Sequence, residues 1–506
     1  MENQNEALDQ KPVQSARLLT GVPGLDTLLN GGFIKGGMYL ILGPPGSGKT
    51  ILGNQICFHH VRENGARIVY ITLLAESHSR MVESLKNLDF FKDNEVGSSV
   101  LYMSGYGILE KEGLPGLLKE IASVVRKHKA SILMIDGITT IGDMDQTHLA
   151  FRKFTLELNT YIANSNCTAF LLSSMEGSHS SPEHTMVDGI VALHHQKISI
   201  RAVRQIEVRK FRGSSHLQGD HLFKITDEGV RVFPRAESLP VKLQQVSIES
   251  RRLSFNVPKL DDMLGGGLIS NSITTIIGPT GTGKTILGLQ FLRAGVEAKE
   301  KCLFFGFYET PSDLLEKARK LGFSLDAWVE KGMLTIHRVS ALEEELDEIG
   351  ETLIEIIQRN GAKRVVIDAL DGFRNSTSYV SRVNLFLVAL VVKLKSLGVT
   401  LIIIEETSLY LNHTERKVTE LSAMNENLLY LRHVELESKM TRVVSILKIR
   451  SAVYDPSVRE LKISAKGIDV LGSVQPAEVV TPRKYATTDA IKKSKVKTSS
   501  RKGRKK

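Results

Sequence analysis

Short apolar runs alternate with longer amphipathic stretches along most of this chain. Runs of this kind fall at 38–42, 67–73, 131–135 and 168–172, and again at 273–277, 302–307, 364–367 and 400–404. Each is too short for a helix and too uniformly apolar for a strand with one wet face. They predict strands buried on both sides, as in a mainly parallel sheet flanked by helices, which is the α/β class. Two later segments, 204–212 and 442–450, alternate basic and apolar residues instead. They predict late strands or hairpins at the sheet edge.

The pattern is read twice. Arg17-Leu18-Leu19-Thr20-Gly21-Val22-Pro23-Gly24-Leu25-Asp26 recurs as Arg252-Leu253-Ser254-Phe255-Asn256-Val257-Pro258-Lys259-Leu260-Asp261, at an offset of 235 residues. So long a period indicates a duplicated domain, not a solenoid. The predicted organisation is a flexible N-terminus over 1–14, a first domain over 15–240, a second over 241–472 and a basic tail over 473–506. Pro234 and Pro240 mark the start of the stretch that links the halves.

Each half carries GxxxxGK[ST] directly after an apolar strand and before a helix: Gly43 to Thr50 as GPPGSGKT, and Gly278 to Thr285 as GPTGTGKT. Such a loop wraps backbone N–H groups around phosphates at a helix N-terminus. The ATP-binding residues are then Gly43, Gly46, Ser47, Gly48, Lys49 and Thr50, matched by Gly278, Gly281, Thr282, Gly283, Lys284 and Thr285. Lys49 and Lys284 reach for the β and γ phosphates, and Thr50 and Thr285 offer hydroxyls to Mg²⁺. Asp136 and Asp368 each close an apolar strand and supply the second metal-side group. Either aspartate alone would read equally well as a helix cap; two at matched distances from two P-loops do not.

Hydrolysis also requires a group that orients or deprotonates water. Glu76, in Leu74-Ala75-Glu76-Ser77, and Glu309, in Phe307-Tyr308-Glu309-Thr310, follow the next strand in each half. The late segments end in Lys210-Phe211-Arg212 and Lys448-Ile449-Arg450. Cations two apart on a strand share a face. They suit either nucleotide phosphates presented across a subunit boundary or an edge strand guarded by charge, and residue chemistry does not choose between these.

Composition changes this picture little. The chain has 506 residues, of which 42% are hydrophobic and 24% charged, so it is globular and not wholly disordered. The net charge is +10, yet 481–506 holds eleven Lys or Arg and one acid, so the tail carries all of it and residues 1–480 are neutral. Nucleic acid is therefore an expected partner only through the tail. Cys57, Cys167 and Cys302 form no CxxC pair, which argues against a disulfide framework or a thiolate zinc site. Residues 1–14 lack the apolar core of a leader, and no apolar run approaches the roughly 18 residues of a membrane span. A cytoplasmic protein without membrane contact is expected.

The tandem P-loops, the glycine runs before them, Lys210-Phe211-Arg212-Gly213-Ser214-Ser215-His216 and Ile225-Thr226-Asp227-Glu228-Gly229 together resemble the KaiC family of clock ATPases, within the RecA superfamily. The likeness covers about 15–470 and implies two tandem RecA-like P-loop NTPase domains. It implies a homo-oligomer, a hexameric ring of two tiers, with ATP and Mg²⁺ between neighbouring subunits and regulatory proteins as partners. Lys210, Phe211, Arg212, Lys448, Ile449 and Arg450 would then reach the neighbour's nucleotide. The reaction would be ATP hydrolysis, with serine/threonine autophosphorylation in the second tier. Two departures stand out. The family's paired glutamates are single here, with Ala75 and Tyr308 in the first places. Its adjacent Ser-Thr phosphorylation pair falls on Ser422-Ala423, leaving Ser422 alone. The competing readings are a nucleotide-gated scaffold without kinase activity and, with less support, a DNA-associated ATPase.

Overall fold

The structure is a computed structural model that describes residues 16–74, 78–139, 148–174, 185–198, 200–240, 251–407, 425–436, 438–450, 452–465 and 467–474. Glu76 and Ser422 lie outside these residues. The chain forms two compact units. The first comprises 1–244 with 340–356 and 373–396; the second comprises 245–339, 357–372 and 397–506.

In the first unit β1 (Arg17–Leu18) and β2 (Phe33–Ile34) make a small antiparallel ribbon. A nine-stranded sheet follows. It uses β3 (Met38–Leu42), β4 (Ile68–Thr72), β5 (Val100–Ser104), β6 (Ile132–Asp136), β7 (Thr168–Ser173), β8 (Gly189–Ile198), β9 (Arg201–Phe211), β10 (His221–Thr226) and β11 (Gly229–Phe233). The order is β11-β10-β9-β8-β3-β7-β6-β4-β5. The strands from β8 to β5 run parallel, and β8 to β11 form an antiparallel run.

The strands at the centre are buried throughout because both faces are covered, as their uniform apolarity requires. Alternate residues part to opposite faces. Tyr39, Ile41, Tyr70 and Met134 join one core with Leu52 and Ile56 of the helix Lys49–Asn64. Leu40, Leu42, Ile71 and Ile135 join the other, under the helices Tyr106–His128 and His148–Ala163.

The second unit repeats this plan. β12 (Arg252–Leu253) and β13 (Leu268–Ile269) pair as the ribbon. The sheet comprises β14 (Ile273–Gly278), β15 (Cys302–Gly306), β16 (Leu334–Arg338), β17 (Arg364–Asp368), β18 (Thr400–Glu406), β19 (Asn427–Leu436), β20 (Lys439–Ile449), β21 (Arg459–Ser464) and β22 (Gly467–Ser473). Its order is β16-β15-β17-β18-β14-β19-β20-β21-β22. Each sheet therefore has six parallel strands and a three-strand antiparallel extension, with the P-loop strand inside the parallel part.

This corrects one expectation. The segments 204–212 and 442–450 fall in β9 and β20, which are not edges, because β10 and β21 pair with their outer sides. Both strands carry a bulge at the same place, where Ile190 and Val191 face Lys210 and Val208, and Leu428 and Leu429 face Lys448 and Ile446. The skipped residues, Arg209 and Leu447, shift the alternation just before each basic triplet. The bulge re-aims the strand end that carries the charges, and the outer pairing of each strand stops short of them, at Gln205 and Ile206 and at Val443 and Val444.

The first unit also buries His221, fully shielded from solvent. Its Nδ1 accepts the backbone N–H of Arg235 at 2.9 Å. Burial, reinforced by the Arg235 and Arg382 guanidinium groups, pushes its pKa from 6.5 down to about 4. The folded imidazole stays neutral where the unfolded one is charged. Its contribution is complete above pH 6.5 and is lost as pH falls toward 4, about 3 kcal/mol over the whole window and about 2 kcal/mol by pH 5. His221→Asn is expected to flatten the acid limb of a melting-temperature profile between pH 7.5 and 5; an unchanged slope would reject this role.

Candidate nucleotide sites

Each P-loop sits where an interior strand meets the following helix, β3 with Lys49–Asn64 and β14 with Lys284–Glu297. The glycine just before each helix has positive φ, 101° at Gly48 and 100° at Gly283. A Cβ there would stand 2.6 Å from Ile225 Cδ1 or 2.5 Å from Ile463 Cδ1. The positive φ favours glycine here, and any Cβ would also displace the tip of that isoleucine side chain.

The lysines fold back over their own loops. Lys49 Nζ donates to the carbonyls of Gly43 (2.6 Å) and Pro44 (3.0 Å), and Lys284 Nζ to that of Pro279 (2.8 Å). Burial lowers both lysine pKa values, opposed by Asp136 in the first case and by Glu406 and Asp368 in the second. Ser47 Oγ is buried without a hydrogen-bond partner, a donor facing the loop where an oxyanion would satisfy it.

The threonine and aspartate expected on the metal side meet in both halves. Thr50 Oγ1 donates to Asp136 Oδ2 at 3.0 Å, and Thr285 Oγ1 to Asp368 Oδ2 at 2.6 Å. The strand register explains it: β6 lies one strand from β7, which neighbours β3, and β17 is placed likewise by β18 and β14. Burial raises the pKa of both carboxyls, and the threonine hydrogen bonds oppose it. Hydroxyl and carboxylate oxygens are hard donors of the kind Mg²⁺ takes, so the residues fit that ion.

Three participants were hidden in the sequence. Tyr70 donates to Asp136 Oδ2 at 2.9 Å. It occurs inside an apolar strand and reads there as core; Phe304 holds the corresponding register position in β15. Lys317 forms an ion pair with Glu309 at 2.5 Å, and the other Glu309 oxygen is buried without a hydrogen bond. Glu309 is close enough to Asp368 to raise its pKa. Glu406, at the end of β18, accepts a hydrogen bond from Thr280 of the P-loop. The acidic end of an otherwise apolar strand was its one available signal.

Glu309 follows Gly306 of β15 by three residues, and Glu76 follows Thr72 of β4 by four. Since Gly306 and Thr72 pair with Asp368 and Asp136, the first half has one extra residue before its acid.

The basic triplets divide by burial. Lys210 Nζ and Arg212 Nη2 both donate to the carbonyl of Thr185, at 3.1 and 3.2 Å. Phe211 points into the core, with its ring centroid 6.2 Å from that of Phe33 and 6.0 Å from that of Tyr39. Ile449 likewise packs against the second core. Burial and Arg450 lower the pKa of Lys448. His194, Glu207 and Asp220 could offer a metal three donors within 4.8 Å, but Arg209 Nε already holds Glu207 at 2.9 Å. Among the described residues no helix is long and apolar enough to cross a membrane.

Two P-loops, each with a threonine-bound aspartate at the end of a buried parallel strand, define a tandem RecA-like ATPase. The family profile described as "ATPase: KaiC" matches residues 18–237 and 253–475, and the chain belongs to the KaiC family of ATPases. It is 26% identical to the "Circadian clock oscillator protein KaiC 1" of Synechocystis, covering 93% of this chain and 91% of that protein. The KaiC proteins of Acaryochloris marina (25%, covering 91% of this chain and 90% of that protein) and Synechococcus elongatus (24%, 92% and 90%) are similar over comparable lengths.

Proposed function

We propose that this chain binds ATP at both P-loops, hydrolyses it within a homo-oligomeric ring and uses the second half as a serine autokinase in signalling or timing. The observation that carries the nucleotide reading is the repeated Thr–Asp pair behind each loop, Thr50 with Asp136 and Thr285 with Asp368. These four residues would hold Mg²⁺. That ion supplies charge neutralisation at the phosphate oxygens. Lys49 and Lys284 exchange their loop carbonyls for phosphate, and the backbone amides of the glycine turns cradle the chain of phosphates. Glu309, and Glu76 in the first half, orient the attacking group and accept its proton. In a ring, taken as a hexamer by family likeness, Lys210, Arg212, Lys448 and Arg450 approach a neighbour's nucleotide. The buried Phe211 and the half-buried Ile449 anchor those strand ends. The names of the relatives, circadian clock oscillator proteins, support a timing or signalling role; regulatory proteins as partners are expected from the family likeness alone.

Autophosphorylation would move the γ-phosphoryl group from ATP to the Ser422 hydroxyl and release ADP. Because Ala423 follows Ser422, a one-site cycle is expected. Incubation of the full chain with Mg-ATP, followed by intact-mass analysis and site mapping, should give a single phosphate on Ser422 that disappears with Lys284→Ala. An unmodified chain that still consumes ATP would remove the kinase and leave the ATPase. The Glu309–Lys317 ion pair favours one alternative, a slow second half whose nucleotide mainly holds the ring as a scaffold. Its signature would be assembly in ATP with negligible turnover.

A further inference from the structure

The two P-loops differ in a matched way. Thr280 in the second loop stands where the first has Pro45. Pairing of β3 with β7 sets Leu42 opposite Ser173, and pairing of β14 with β18 sets Ile277 opposite Glu405. The next residues correspond as Ser174 and Glu406. A hydroxyl on the loop and a carboxylate beside it therefore exist together in the second half, and the matching positions of the first, Pro45 and Ser174, hold neither. The Thr280 hydroxyl donates to Glu406, whereas the Ser174 hydroxyl is paired with Thr139 at 3.0 Å. The same carboxylate acts on Lys284, whose side chain is buried in the loop. Arg442 Nε holds the loop from another side, at the carbonyl of Gly281 (3.0 Å).

We propose that Glu406 is an anionic gate on the second P-loop that weakens its binding of nucleoside triphosphate relative to diphosphate, by tethering Thr280 and competing for Lys284. The proposal rests on the second half being a nucleotide site. An outer phosphate brought to Lys284 meets a carboxylate of like charge there, and a diphosphate, lacking that group, meets less of it. Binding of the triphosphate would require Glu406 to release Thr280 and turn outward. Among the described residues the first half, with Ser174 and Pro45 at the matching positions, shows no such gate, so the two sites are expected to fill at different ATP concentrations.

The test uses the full chain carrying Lys49→Ala, so that only the second loop binds, and fluorescent ATP and ADP analogues with and without Mg²⁺. Glu406→Ser, which copies the first half, is expected to tighten the ATP analogue about tenfold and the ADP analogue by no more than about twofold. Glu406→Gln keeps an acceptor for Thr280 but removes the charge, and should give most of the same gain. ATP affinity that is unchanged or weaker in both variants would overturn the gate, as would equal gains for both analogues. If binding needs Lys284 yet ignores Glu406, the gate alone fails. If the Lys49→Ala chain binds neither analogue, the nucleotide reading of the second half fails and the gate with it.

Discussion

Replacing Lys49 and Lys284 together by alanine is expected to lower ATP turnover by about 10²–10³-fold, the usual cost of removing a charge aimed at a transferring group. Each ammonium rests on carbonyls of its own loop, Gly43 and Pro44 or Pro279. These contacts position the charge over the turn and are weaker than a phosphate contact, so the exchange on binding is favourable. Burial disfavours the charged lysine, and a polyanion relieves that cost. Neither lysine spans two elements of the core, so the variants should fold. Steady-state phosphate release from the two single variants would divide the rate between the halves. A double variant that kept near-native turnover would mean the chemistry lies elsewhere.

The second large effect is expected at Glu309. In a Lys49→Ala background, Glu309→Gln should reduce phosphate release by about 10²–10⁴-fold, the range for a general base, while ATP affinity stays within a few-fold. The glutamine keeps the shape of the side chain but loses the proton-accepting charge. One Glu309 oxygen is tied to Lys317 and the other is buried without a hydrogen bond, so the residue is held with one acceptor to spare. Asp368→Asn should behave differently. It weakens the group paired with Thr285 and so should raise the Mg²⁺ concentration needed for half-maximal rate, a shift Glu309→Gln should not produce. Equal metal dependence in the two variants would contradict these separate roles.

Local chemistry explains what was legible in the sequence. Strands buried on both faces have a uniform apolar code, so β3, β4, β6, β7 and their counterparts could be placed from residue type alone. The P-loops were legible because a tight turn into a helix demands glycine at fixed positions, as at Gly48 and Gly283. Asp136 and Asp368 could be read because they interrupt apolar runs. What stayed hidden depends on partners distant in sequence. Tyr70 reads as core until its hydroxyl is found 66 residues away on Asp136. Glu406 gains meaning only when β18 is laid beside β14. The segments 204–212 and 442–450 read as edges because a polar loop separates each from β10 or β21, and nothing local announces that the chain returns to pair.

The most direct test of two working nucleotide sites is the amount of ATP analogue bound per chain at saturation, measured by equilibrium dialysis with Mg²⁺. The account predicts two per chain, one after either Lys49→Ala or Lys284→Ala, and none after both. A single nucleotide in the unaltered chain, or one that survives the double change, would contradict it.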